Sequence, residues 1–286
     1  MTLSTLAQDF TANYMATQLR PSTFRGYSVN INRHILPHIG SVSVDALTVD
    51  DLDRLTASLQ HTGLSNKTVV YALATLRKML NYAVKRAFIA KSPFEQFDMP
   101  RVQKYRYRVL NRVQIGKLLA AVKGSPLELP VVLALCYGLR RGECLGIIPS
   151  LDLDAGENTL HIQRTRSYEK GGEVVTPCKT DNGNRLILLS PEHTAMLARC
   201  GDGYAVPFLP RYLDKHFQKL LSELNLPAIR FHDLRHSYAT FMLSRGVNAK
   251  IVCAVLGHSS VSVTLDIYSH PDVTMQSVCL QAFAGI

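Results

Sequence analysis

Thr159-Leu160-His161-Ile162-Gln163-Arg164, Glu173-Val174-Val175-Thr176 and Arg185-Leu186-Ile187-Leu188-Leu189 are short runs rich in apolar and β-branched residues. The turn signals Gly171-Gly172 and Asp181-Asn182-Gly183-Asn184 separate them. Runs of this length bounded by such turns read as strands, and three of them in succession make a small antiparallel sheet. On both sides the apolar spacing changes to the helical period. The expected fold class is therefore mainly α with a small antiparallel β-sheet.

Downstream of Pro191, helices are expected over about 192–200, 208–224, 232–245 and 247–256, with a short one over 262–268 and a last one over 273–283. Upstream, Asn111 caps a helix, and the apolar run 127–137 reads as another. The first hundred residues carry good start and stop signals. Thr2 or Ser4 caps a helix through about Thr17, Pro21 and Ser22 start one ending near Gly40, and Thr48 caps one ending before Gly63. A fourth begins near Asn66, where Val69, Val70, Leu73, Leu76, Leu80, Ala83 and Val84 form one apolar stripe, with Lys67, Arg77, Lys78, Lys85 and Arg86 outside it. This part reads as a compact four-helix bundle. Between Lys91 and Val109 the pattern breaks at Pro93 and Pro100 and runs into Lys104-Tyr105-Arg106-Tyr107-Arg108. The expected organisation is a helical domain over 1–99, a linker over 100–108 and a second domain over 109–286. Lys104, Arg106 and Arg108, alternating with aromatics, are candidate contacts to a phosphate backbone.

The chain has 286 residues, 32 Lys and Arg against 22 Asp and Glu, and a formal charge of +10 with 47% apolar residues. That apolar fraction argues for folding over disorder, and the charge makes a polyanion the first partner to consider. Residues 1–105 carry 12 basic and 7 acidic residues and 106–286 carry 20 and 15, so each part contributes +5. Six cysteines at 136, 144, 178, 200, 253 and 279 never form a CxxC pair and read as reduced thiols. No apolar run reaches membrane-spanning length and the start lacks a signal-like segment, so a cytoplasmic protein without a membrane partner is expected.

The densest group of reactive side chains is His232-Asp233-Leu234-Arg235-His236, followed by Leu256-Gly257-His258 and Thr264-Leu265-Asp266-Ile267-Tyr268-Ser269-His270. Two His on one helix face resemble a zinc site, but Asp233 replaces the glutamate of the zinc-protease pattern and Arg235 puts a fixed positive charge beside it. No metal or other cofactor is expected. His232 and Arg235, three residues apart, share one helix face and suit an anion. Gly138-Leu139-Arg140-Arg141-Gly142-Glu143 brings a second guanidinium and backbone N–H groups of a helix start towards a phosphate, with Glu143 placed to hold Arg140.

Taken together, GLRRGE at 138–143, CKT at 178–180, HDLRH at 232–236, LGH at 256–258 and TLDIYSH at 264–270 make the chain resemble the tyrosine recombinase, or phage integrase, family, in particular mobile-element integrases. The helical N-terminal part resembles the family's core-binding domain. The resemblance implies that Tyr268 attacks a DNA phosphodiester to form a 3′-phosphotyrosyl bond. It further implies that Arg140 and Arg235 hold the non-bridging oxygens, that His232 and His258 fill the two histidine positions, that Lys179 protonates the leaving oxygen and that Glu143 supports the site. Two arginines, a lysine and two histidines would supply the charge that a metal provides in many nucleases. Strand exchange between double-stranded DNA sites implies a homotetramer on two duplexes, with the C-terminal helix exchanged between protomers, and the integration or excision of a mobile element. Two other readings stay open: a DNA-relaxing enzyme of the type IB topoisomerase class, and a non-catalytic DNA-binding regulator.

Overall fold

The computed structural model describes residues 1–102, 107–169, 172–178, 181–258 and 260–262. The chain divides into two compact units, Met1–Tyr105 and Arg106–Ile286.

In the first unit α1 (Leu3–Phe10) runs through a π-helical turn at Thr11–Met15 into α2 (Ala16–Gln18). The second helix has the same form: α3 (Pro21–Val29), a π-helical stretch at Asn30–Ile35 and α4 (Leu36–Ile39). That stretch lies one turn before Pro37, whose ring displaces the carbonyl four residues back and removes one donor, so the ladder widens there. Next come α5 (Val49–His61) and α6 (Asn66–Lys85). Thr48 and Asp51 close a reciprocal capping box on α5, and Ser65 caps α6. Leu3, Leu6, Phe10, Ile35, Leu52 and Leu73 are among the residues that bury a single core. Asn30 lies within it because its Nδ2 donates to Thr75 Oγ1 (2.7 Å) and to Tyr71 O (3.2 Å).

The second unit starts with α7 (Arg112–Val122), capped by Asn111 in a box with Gln114, and α8 (Glu128–Cys136), whose residues Leu129 to Leu135 are all buried. Short α9 (Arg141–Gly146) and α10 (Pro149–Asp152) lead into the strands β1 (Leu153–Asp154), β2 (Thr159–Ile162), β3 (Arg164–Glu169), β4 (Gly172–Pro177) and β5 (Arg185–Leu188). The three runs expected to share a sheet are divided between two. β5 pairs with β2, Leu160 opposite Ile187, and β1 extends this sheet on its other side; β3 and β4 form a separate hairpin. Gln163 marks the division, because its Nε2 donates to Asp152 Oδ1 (2.7 Å), while Arg164 Nη1 donates to Asp152 Oδ2 (2.6 Å). The polypeptide is thereby tied to α10 between the two strands. Helices α11 (Pro191–Ala198), α12 (Pro210–Glu223), α13 (Asp233–Ser244) and α14 (Ala249–Leu256) complete the described unit. The expected helices over 262–268 and 273–283 lie outside the described residues, apart from Ser262.

Two glycines have a conformational reason. Gly138 (φ +67°) turns the chain between α8 and α9, and a Cβ there would sit 2.5 Å from Leu256 Cδ2 and 2.7 Å from Tyr238 Cδ1. Gly257 (φ +65°) ends α14 in the left-handed region, where a Cβ would meet Asn182 O at 2.5 Å.

Candidate active site

Four segments of the second unit converge on the carboxylate of Glu143, whose side chain is 1% exposed. Arg140 is the N-cap of α9; its backbone N–H donates to Glu143 Oε2 (2.8 Å) and its Nη1 to Oε1 (2.6 Å). From the start of β5, Arg185 donates through Nη2 to Oε2 (3.0 Å) and through Nη1 to Oε1 (3.3 Å). Arg235, in the first turn of α13, has Nη1 4.0 Å from Oε2. The turn after α14 closes the group, since Arg140 Nη2 donates to Gly257 O at 3.0 Å.

Of the backbone N–H groups at the start of the six-residue α9, that of the N-cap Arg140 is taken up by Glu143. Burial would raise the Glu143 carboxyl, but Arg185 and Arg140 outweigh it and hold the group below its ordinary range. It is therefore ionised at neutral pH. Three guanidiniums around one carboxylate leave two positive charges.

Arg235 is 2% exposed. Its Nη1 donates to Gly138 O at 2.7 Å, while its Nη2 is buried without a hydrogen-bond partner. Burial, with Arg140 nearby, pushes this guanidinium down to about 9, so it stays charged at neutral pH at a large desolvation cost. Such a group calls for an anion. Arg140 is its accessible counterpart, 34% exposed.

The histidines contribute differently from the sequence expectation. Burial and the neighbouring arginines push His258 down to about 3 and hold His232 below its ordinary value. Burial and His232 bring His236 to about 4. All three are neutral near pH 7, so the site's excess charge belongs to the arginines, and the imidazoles supply one donor and one acceptor each. His232 lies at the start of α13, its ring edge-on to His236 with centroids 5.1 Å apart. The buried His236 leaves Nδ1 without a partner and lies against the Tyr107 ring, centroids 4.0 Å apart. His258 follows Gly257, and its carbonyl accepts from Asn182 Nδ2 at 3.1 Å. Among the described residues no group of three or more His, Cys, Asp or Glu is placed to hold a metal ion.

The structure thus brings Arg140, Glu143, His232, Arg235 and His258 together. Lys179 and Tyr268 lie outside the described residues, as do Lys104 and Arg106; Arg108 is exposed. Sequence reasoning missed Arg185. The signal available was an arginine at the first position of the strand that follows the CKT turn, but its partner, Glu143, is 42 residues away. A cleft of about 650 Å³ is lined by Arg140 and His232 and continues past Arg141, Asp214 and Arg230. Arg141 is paired with Asp214, and Arg230 Nη2 with Asp233 Oδ1 at 2.7 Å. The five described cysteines are free thiols; burial raises Cys136 to about 11 and places Cys144 well above its usual value.

A helical unit followed by a mainly α unit with small antiparallel sheets and a guanidinium-lined site defines an integrase-type DNA recombinase fold. Residues 108–275 match the phage integrase family model, and residues 2–60 match the N-terminal SAM-like domain of phage integrases. The chain belongs to the phage integrase family, the tyrosine-type site-specific recombinases. A tyrosine recombinase XerC-like protein of Caldanaerobacter subterraneus subsp. tengcongensis is 26% identical, over 94% of this chain and 79% of its own length. The ICEBs1 integrase of Bacillus subtilis is 22% identical, over 88% of this chain and 74% of its own. Among solved structures, the Tn1549 transposon integrase in complex with transposon right end DNA superposes with a TM-score of 0.84 at 21% identity, covering 99% of this chain and 100% of that one. A lambda integrase dimer bound to a COC′ core site gives 0.71 at 17% identity, covering 93% and 95%.

Proposed function

We propose that this protein cleaves and rejoins double-stranded DNA at specific sites through a 3′-phosphotyrosyl intermediate on Tyr268, and that it integrates or excises a mobile genetic element. One observation carries the reading: Arg235 is a fully buried guanidinium with an unpartnered Nη2, beside an accessible Arg140, in a site whose three arginines exceed its one carboxylate. Charge buried this way suits the phosphoryl oxygens on which negative charge grows in the transition state.

Tyr268 Oη forms the new bond to phosphorus as the bond to the 5′ oxygen breaks, and Lys179 gives that oxygen its proton. A phenol of ordinary pKa near 10 is about a thousandth ionised at pH 7, a cost of roughly 4 kcal/mol for unaided attack. The arginines lower that cost as the phenol proton passes to solvent. The phosphotyrosyl bond conserves the energy of the broken diester, so a 5′-hydroxyl of another strand rejoins the DNA without a nucleotide cofactor.

In this reading residues 1–99 form a core-binding domain, 109–286 the catalytic domain, and Lys104, Arg106 and Arg108 between them contact the DNA backbone. The protein acts as a homotetramer on two duplexes with exchange of the C-terminal helix. Support comes from the solved integrases of similar fold, which are bound to DNA, one of them a lambda integrase tetramer on a Holliday junction. No described helix is long and apolar enough to cross a membrane.

A nicked duplex that loses the short strand after cleavage traps the adduct. The expected result is a covalent protein–DNA band with the parent protein and none with Tyr268→Phe, which still binds the duplex. An undiminished band with Tyr268→Phe sinks the mechanism. Strand exchange between two duplexes, as opposed to relaxation of supercoiled DNA alone, separates recombinase from topoisomerase.

A further inference from the structure

Arg185, 7% exposed, has every guanidinium nitrogen engaged by a protein acceptor, in contrast to Arg235, and makes four hydrogen bonds to three separate segments. Besides the two bonds to Glu143, its Nε donates to Val255 O at the end of α14 (2.6 Å) and its Nη1 to Gly183 O (3.0 Å). Gly183 ends the 3₁₀ turn Asp181–Gly183, which follows Lys179 in sequence. The same turn reaches the α14 side a second time, through Asn182 Nδ2 on His258 O. The two bonds from Arg140 and the two from Arg185 fill about four lone-pair sites of the Glu143 carboxylate.

We propose that Arg185 is a positioning residue for strand cleavage: it neutralises Glu143 and ties the turn after Lys179 to the Gly257–His258 turn, leaving the charge of Arg140 and Arg235 for the phosphate. This rests on the recombinase reading above. Without Arg185, Glu143 keeps two unfilled acceptor sites in a buried location and binds Arg140 as its main counter-ion. The net charge facing the phosphate then falls from two to one. A site that matches the growing negative charge of the transition state loses more in the chemical step than in binding the singly charged diester.

Arg185→Gln and Arg185→Lys test this, with three measurements on each full-length variant. Thermal unfolding reports folding. A ¹³C carboxyl titration of DNA-free protein reports Glu143, which faces the cations Arg140, Arg185 and Arg235 and the thiols of Cys144 and Cys178. Single-turnover cleavage of the nicked duplex at saturating DNA, beside duplex affinity, separates chemistry from binding. In Arg185→Gln, Glu143 titrates at higher pH than in the parent, and cleavage slows about 100-fold or more. Affinity holds within about threefold. In Arg185→Lys the ammonium restores the Glu143 titration but recovers only part of the rate, because it lacks the planar fork. A folded Arg185→Gln with parental Glu143 titration and parental cleavage overturns the proposal. So does a rate loss that only tracks the unfolded fraction. Should Arg185→Gln fail to fold, Arg185→Lys decides: full parental rate overturns the role, partial rate supports it. A parent protein that forms no adduct would sink the recombinase reading instead, and the DNA-free titration still tells whether Arg185 governs Glu143.

Discussion

At the scale of single residues, the anion site proposed at Arg235 comes at a cost in stability. The folded protein holds its guanidinium near 9, well below its ordinary value in an open chain, so burial penalises the charged form throughout the neutral range. Arg235→Gln removes the buried charge and retains an amide able to donate towards Gly138 O. DNA-free Arg235→Gln is expected to melt at or above the parental temperature, while adduct formation falls about 100- to 1,000-fold; calorimetry and the nicked-duplex assay check the two halves. Glu143 shows where reading residues one by one stops. GLRRGE puts a carboxylate three residues after Arg140, and that ion pair was legible. The second guanidinium on the same carboxylate comes from Arg185, and no local spacing relates residues 42 positions apart.

At the scale of elements, the α8–α9 turn depends on Gly138. An added Cβ costs about 1–2 kcal/mol for the left-handed backbone and about 1–3 kcal/mol for crowding Leu256 and Tyr238. Gly138→Ala is expected to destabilise the protein by about 2–5 kcal/mol in urea denaturation and, by moving the Gly138 carbonyl, to slow cleavage in the fraction that remains folded. In the first unit Thr48→Ala breaks the capping box of α5 and should cost about 1 kcal/mol in the same measurement. The helices from Asn66 and Asn111 were legible because caps and a 3.6-residue apolar period act locally. The division of the strands into two sheets was not, because Asp152, distant in spacing from both turn signals, draws Gln163 and Arg164 away from a continuous sheet.

At the scale of the molecule, His236 near 4 and His258 near 3 lie below the value near 6.5 that each has in an unfolded chain. As the pH falls below about 6.5, the unfolded chain takes up these protons before the folded one does. The stability these groups contribute is complete above that pH and is lost as the pH falls towards 3. Denaturant midpoints measured from pH 7 to pH 4 should therefore fall, and the fall should be shallower in His236→Gln provided that variant folds. The charge of +10 acts over the whole surface. Duplex affinity should drop linearly on a log–log plot against salt, by about 10³- to 10⁵-fold between 50 and 200 mM if six to ten phosphates are neutralised. Exchange of Arg140 for Gln should change that slope by about one contact only.

The sequence by itself determined the helical period, the caps, the basic excess and the chemical inventory of the site, since each depends on neighbours within a few residues or on composition. Only the tertiary structure decided which charges meet. It set three guanidiniums on one carboxylate, buried Arg235 until a donor was left without a partner, and drove His232, His236 and His258 to neutrality. Burial and the distances between remote side chains govern those energies, and both arise only when β5, α9, α13 and α14 pack together.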